Sequence, residues 1–224
     1  MSDHQQMNRR QLFSWVAGAV IVAPTLYAAE EEDVTPAEDL MREHGVLKRV
    51  LLIYDEVRDR IARKTPFPPE AVSSSATIIR SFIEQYHEKL EEDHLFPRFR
   101  KHNKLVDLVN TLEAQHKAGR KLTDQILAFA RGGLKASTDK EKLSAAMHQF
   151  VRMYAPHEAR EDTVLFPALH EIVSKNEYAA LGSDFERKEQ ELFGKDGFEG
   201  MVMKVGDIEK TLGIFDLNRF TPSV

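Results

Sequence analysis

Apolar residues recur along this chain in steps of three and four, and four stretches carry that period far enough to predict long helices. The first opens at Thr35-Pro36-Ala37-Glu38. Thr35 can cap it, Pro36 suits the first helical position and Glu38 completes a capping box. Its stripe reads Leu40, Leu47, Leu51 and Tyr54, with His44 at the missing beat, and it ends near Lys64. The second runs from about Glu70 to Leu95, stopping at Pro97, with Ile79, Ile83, His87, Leu90/Glu91 and His94 facing inward. The third runs from about Leu105 to Arg131, where Gly132-Gly133 ends it. Its stripe reads Leu105, Val109, Leu112, His116, Gly119, Thr123 and Ile126. A second capping box, Thr138 with Glu141, opens the fourth, whose stripe reads Leu143, Met147, Phe150, Tyr154, His157, Glu161 and Leu165. Pro156 inside it predicts a kink. A shorter fifth helix is expected from about Asn176 to Phe193, and the last thirty residues show no period. The predicted fold is all-α: an up-down-up-down four-helix bundle over residues 30–175. An additional C-terminal helix and an irregular tail, residues 176–224, would pack on it.

The inward stripes are not purely apolar, and the polar members repeat. "HEKLEEDHLFPRF" (residues 87–99) and "HEAREDTVLFPAL" (residues 157–169) share the frame H-E-x-x-E-[ED]-x-x-L-F-P. With His44 and His116 on the preceding helices, the chain reads H…HExxE twice, once per helical hairpin. Two such hairpins packed antiparallel would be related by a pseudo-twofold axis.

Composition narrows the chemistry. Of 224 residues, 42% are hydrophobic, enough for one ordinary core. The net charge of −5, mixed in sign along the chain, gives no support for nucleic-acid binding. With no Cys there is no disulfide, thiolate ligand or thiol nucleophile, so any metal must be held by His and carboxylates. The first thirty residues carry a basic start, an apolar stretch too short to span a membrane and small residues before an acidic run. They read as an export signal (residues 1–29). Arg9-Arg10-Gln11-Leu12-Phe13 is similar to a twin-arginine signal, although Asn8 stands where Ser or Thr is usual. The expectation is an exported protein, in a bacterial periplasm, with no stable membrane span once the signal is removed.

A step of four turns a helix by about 400°, so His87 and Glu91 share a face one turn apart, as do His157 and Glu161. A lone His in a seam is more often a core residue than a ligand, and H-x-x-x-E on one helix is commonly a surface ion pair. Four seams each giving a His, two also giving a Glu at one spacing, is a different matter, because leucine would pack there without the cost of burying a carboxylate. The candidate metal ligands are His44, His87, Glu91, His116, His157 and Glu161. Imidazole and carboxylate suit iron, zinc or manganese. Six ligands suit two cations, with Glu91 and Glu161 bridging and two His on each. Glu88, Asp162 and His94 are further candidates, as ligands or as supports behind them. Glu158 reads as solvated or supporting, and His102, His148 and His170 as ordinary surface or core residues.

"REHGVL", "HEKLEEDHLFP", "EAQHK" and "HEAREDTVLFPAL", in this order over about residues 35–175, resemble the haemerythrin-like (HHE cation-binding) family. The resemblance implies a four-helix bundle around a non-haem di-iron centre, two iron ions that can meet O2, with other divalent metals as alternatives. By position it carries over the same six ligands. The O2-carrying members have a fifth His four residues after the third-helix His; here that place is Arg120. They end on H-x-x-x-x-D, where Asp162 stands, although Glu161 lies better on the face. Some relatives fill the vacancy with the residue at Glu88. These departures count against reversible O2 carriage.

Two functions follow. One is a binding module for O2 or a related diatomic or peroxide ligand, which stores, senses or scavenges. The other is a di-iron enzyme reducing peroxide or nitric oxide. No further acid–base constellation specifies a substrate, which favours the first. A third class is a bundle whose metal only staples its helices.

Overall fold

The computed structural model describes residues 34–134 and 136–223. The expected export segment, residues 1–29, lies outside them. Among the described residues there is no strand. The bundle helices are α1 (Pro36–Arg63), α2 (residues 69–101), α3 (Val106–Arg131) and α4 (residues 137–169). Two more follow, α5 (Lys175–Phe193) and α6 (Gly197–Leu212). Helix α1 packs on α2 and α4, and α3 packs on the same two, which closes the four into a ring.

The first capping box forms as expected. Glu38 N–H donates to Thr35 Oγ1 (3.3 Å) and Thr35 N–H to Glu38 Oε2 (3.1 Å). The second does not. Helix α4 starts two residues earlier than a Thr138 cap would place it, at Ser137, and Asp139 rather than Glu141 reaches back, its Oδ2 accepting from Ala136 N–H (3.2 Å). The fifth helix is capped by Ser174, whose hydroxyl accepts from Glu177 N–H. Each predicted stripe is buried: Leu40, Leu47 and Tyr54 on α1, Ile79 and Ile83 on α2, Val109 and Ile126 on α3, Leu143 and Phe150 on α4.

The proline expected to end α2 acts differently. Helix α2 does not stop at Pro97 but runs on to Lys101. The turn before it, Glu91–Leu95, is a π-turn in which Phe96 N–H donates to the carbonyl of Glu91, five residues back. A wide turn moves the preceding carbonyls away from the proline ring, which would clash in α register and has no N–H to offer. The repeat does the same at Glu161–Leu165, where Phe166 N–H donates to Glu161 and α4 passes through Pro167. Helix α4 also continues through Pro156, which is exposed. The carbonyl it deprives of a partner is that of Arg152, also exposed, which water can satisfy.

The tail departs most from the reading of its sequence. Residues 197–212 are helical, and Met201, Val205, Ile208 and Leu212 form a buried stripe against the bundle. Helix α6 lies against α1, α2 and α5. A fork of hydrogen bonds from Arg49 to Glu209 (2.9 and 2.5 Å) fixes it. Glycines at 197, 200 and 206 mask the period in the sequence, since each weakens a helix in isolation and the packing here overrides that.

Candidate metal centre

The six candidate side chains come from all four bundle helices and meet at its centre. All are at least 96% buried, with Glu91, His116 and Glu161 wholly so. They fall into two triads whose ligating atoms lie within 4.8 Å of one another: His44, His87 and Glu91, and His116, His157 and Glu161. Each triad therefore pairs the two histidines of one hairpin, and their rings stand 4.7 Å (His44–His87) and 5.0 Å (His116–His157) apart.

The carboxylates link the triads. Glu161 Oε2 is 3.1 Å from His157 Nε2 and 3.4 Å from His44 Nε2, across the gap. Glu91 Oε2 is 3.8 Å from His87 Nε2 and 3.4 Å from His116 Nε2. Each glutamate thus stands between a histidine of its own helix and one from a helix of the other hairpin or its neighbour.

Every imidazole is turned inward by a partner behind it. His44 Nδ1 donates to Asp162 Oδ1 (2.7 Å), His87 Nδ1 to Glu43 Oε2 (2.6 Å), His116 Nδ1 to Glu92 Oε1 (3.2 Å) and His157 Nδ1 to Gln115 Oε1 (2.8 Å). This fixes the tautomer that leaves Nε2 free to ligate, the arrangement expected behind metal-bound histidine. The hairpins repeat it: Glu92 and Asp162 hold equivalent histidines, as do Glu43 and Gln115. The Leu-Phe-Pro ends complete the symmetry. Phe96 stacks on His116 and Phe166 on His44, each at 5.5 Å.

The remaining candidates are used elsewhere. Asp162 stands behind His44 rather than between the triads. Glu88 accepts from Tyr154 Oη (2.6 Å) and pairs with Arg120 (2.7 Å), which also reaches Glu92. Glu88, Glu92 and His116 do cluster, but Arg120 already supplies that cluster with its cation. Glu158 is buried, not solvated, and pairs with Lys48 (3.0 Å). Lys48 and Arg120 occupy equivalent places, four residues after His44 and His116. His94 is turned away and packs on Phe185 of α5. Sequence reasoning passed over Glu43, Gln115, Phe96 and Phe166. A usable signal was present: Glu43 and Gln115 each immediately precede the first histidine of a hairpin, and both phenylalanines lie inside the repeat.

The site fits a cation. Both oxygens of Glu91 and of Glu161, and Nε2 of His44 and His116, are buried without a hydrogen-bond partner. Such groups cost several kcal/mol each unless something compensates them. Burial, and then the charge of Glu161, push Glu91 well above the usual carboxylate range. Burial opposes the charge of Glu161 too, but His157 and His44 outweigh it and hold that carboxyl well below the range. Burial likewise opposes the charge of His44, yet Asp162 and Glu161 raise it to about 9. The metal-free site at neutral pH therefore carries a proton on Glu91 and another on His44. A cation must displace both, so uptake should release roughly two protons at neutral pH and weaken steadily as pH falls below about 9, where His44 takes up its proton. Calorimetric titration in buffers of different ionisation heat measures that number.

Tyr154 closes the site on one side. Its ring lies 5.3 Å from His157, and its hydroxyl occupies the space a side chain at residue 119 would need. A Cβ on Gly119 would sit 2.0 Å from Tyr154 Oη. Gly119→Ala should cost about 1–3 kcal/mol, the range for overpacking a core, despite alanine's better helix propensity. Denaturant unfolding checks this.

The chain matches the hemerythrin HHE cation binding domain over residues 35–169, with a second, overlapping match over 107–201. It belongs to that haemerythrin family. The second match begins at α3, where the second HHE hairpin starts. Uncharacterized proteins of Mycobacterium tuberculosis (strain H37Rv) and Mycobacterium bovis are 47% identical over 203 residues, 89% of this chain and 79% of each relative. No solved structure matches the chain. As a haemerythrin-family member with two His/Glu triads, the protein is a metal-binding one.

Proposed function

We propose that the protein is an exported non-haem di-iron protein that binds O2 or a related small ligand, in storage, sensing or scavenging. The observation that carries the paired site is the placement of Glu91 and Glu161, each with one oxygen facing histidines of both triads. His44 and His87 would hold one ion, His116 and His157 the other, and the two glutamates would bridge. Iron bound there would supply redox chemistry towards O2, nitric oxide or peroxide. The chain's own part is to hold the imidazoles inward, to keep water out with Phe96, Phe166 and Tyr154, and to hold the Tyr154 hydroxyl against Glu88 beside the site.

A reductase acting on peroxide or nitric oxide is the second reading. Arg120 favours it: it stands where the O2 carriers have a fifth histidine and is committed to Glu88 and Glu92, so the protein offers one ligand fewer. Metal analysis with an optical spectrum of the anaerobically reduced, iron-loaded protein before and after air tests the proposal. A new band that reverses on removing O2 supports binding; none with O2, but turnover of peroxide or nitric oxide, supports the reductase. No spectral response to any of them would sink both readings.

Export is part of the proposal and rests on the first twenty-nine residues. Replacing Arg9 and Arg10 together by Lys should hold the precursor inside the cell if the twin-arginine route carries it. Cell fractionation reads the outcome, and undiminished export would reject that route.

A further inference from the structure

The carboxylate behind His87 belongs to a second cluster. Asp39 and Glu43 lie one turn apart on α1, and Glu189 reaches them from α5. One ligating atom from each lies within 4.8 Å of the others. Glu43 is wholly buried. Its Oε2 accepts from His87 Nδ1, while Oε1 has no hydrogen-bond partner. The hydroxyl of Tyr86, a side chain 99% buried, lies beside Glu43 and also lacks a partner in good geometry. Glu189 commits one oxygen to the N–H of Phe198, at the start of α6, which leaves the other for the cluster. Asp39 and Glu189 are half-buried, so the cluster opens to solvent at one end and closes on Glu43 at the other.

Among the described residues, ion pairs do not balance the local charge. Glu186 and Glu199 add to the negative field. The cation at the rim is Arg42, which lies 3.9 Å from Asp39 and 3.4 Å from Glu199, with its guanidinium over Phe198. It makes no ion pair with Glu43 or Glu189. The buried Glu43 Oε1 has the Tyr86 hydroxyl beside it, in poor hydrogen-bond geometry, and among the described residues no ion pair to offset its charge.

We propose that Asp39, Glu43 and Glu189 form a third cation site, separate from the paired centre. Its donors are oxygens alone, which suits a hard divalent ion such as Mn2+, Ca2+, Mg2+ or ferrous iron rather than zinc or copper. Glu43 faces this ion with one oxygen and holds His87 with the other. An ion there draws charge from the carboxylate and loosens its hold on His87 Nδ1, so occupancy tunes one ligand of the paired centre.

Terbium(III) is an oxygen-seeking probe whose emission a neighbouring phenol sensitises, and Tyr86 is placed to do so. The one tryptophan of the chain, Trp15, lies in the export segment. The full-length protein, with its paired centre first filled with zinc, is titrated with terbium under excitation of tyrosine. The expected result is one saturable emission per chain that Mn2+ or Ca2+ displaces. Glu189→Gln, which keeps an oxygen for Phe198, and Asp39→Asn should each weaken terbium on the order of tenfold or more. Glu158→Gln, far from the cluster along the chain and paired with Lys48, should leave it unchanged. Far-UV circular dichroism checks that the variants remain helical. Should either unfold, Tyr86→Phe decides, because it must lose the sensitised emission and keep terbium displaceable by Mn2+. Absence of saturable emission in the wild type overturns the proposal. So does wild-type affinity in both carboxylate variants, or emission that zinc loading abolishes, which would put the lanthanide in the paired centre.

Discussion

Glu161→Ala is expected to lose both ions of the paired centre, a larger loss than any single histidine change produces. Its Oε2 faces His44 and His157, which belong to different triads, so in the proposed pair its removal would take a ligand from both cations and leave their charges facing across the gap. Glu91→Ala should behave alike, since Glu91 Oε2 faces His87 and His116. In the proposed pair a histidine would serve one ion. Asp162→Ala should cost less again, of order 10–100-fold in affinity, because Asp162 only orients His44 through Nδ1. Glu158→Ala should be nearly silent, as its partner Lys48 is largely solvated. Metal titration of these four variants and of a histidine variant, with CD as a folding control, measures the series. If Asp162→Ala loses an ion while Glu161→Ala keeps two, the bridging carboxylate has been misassigned and the O2-carrier spacing applies.

Metal removal should produce the largest change in stability. The metal-free core buries two carboxylates without partners for their oxygens, and cations bind only where the fold brings the triads together. Each ion present at a hundredfold over its Kd should add about 2.7 kcal/mol. For a domain of this size, 1 kcal/mol moves Tm by roughly 2–4 °C. Loading both sites should therefore raise Tm by roughly 10–20 °C, and a chelator should reverse it. Differential scanning calorimetry reads the shift. A metal-free protein as stable as the loaded one would remove the reading in which metal staples the bundle. The same scan on Glu91→Ala should show little loss in the metal-free state, because that change deletes a buried carboxylate rather than a favourable contact.

Much of this was legible in the sequence, for reasons that can be stated. Helix stripes and the His-x-x-x-Glu step depend on local geometry alone, and the repeat identified which polar residues share a seam. Pairing is a different kind of fact. That His44 joins His87 while Glu161 crosses to His44 is set by how the hairpins dock, and no spacing encodes it. Which histidine Glu43 and Gln115 support is set by the same docking, although each precedes a seam histidine: Glu43 reaches His87 and Gln115 reaches His157 across helix boundaries. Glu88 was open in the sequence because its direction depends on whether Arg120 and Tyr154 are near, and both come from other helices. Pro97 was misread as a stop because a π-turn, which no composition signal announces, carries α2 past it. Helix α6 was obscured by its glycines although its stripe of Met201, Val205, Ile208 and Leu212 has the helical period.

The central claim is a pair of metal ions held between Glu91 and Glu161, and an anomalous-scattering map from crystals of the iron-loaded protein tests it most directly. The account predicts two peaks roughly 3.5–4 Å apart, one beside His44 and His87 and the other beside His116 and His157, with both glutamates between them. A single peak among these six side chains, or none there, would contradict it.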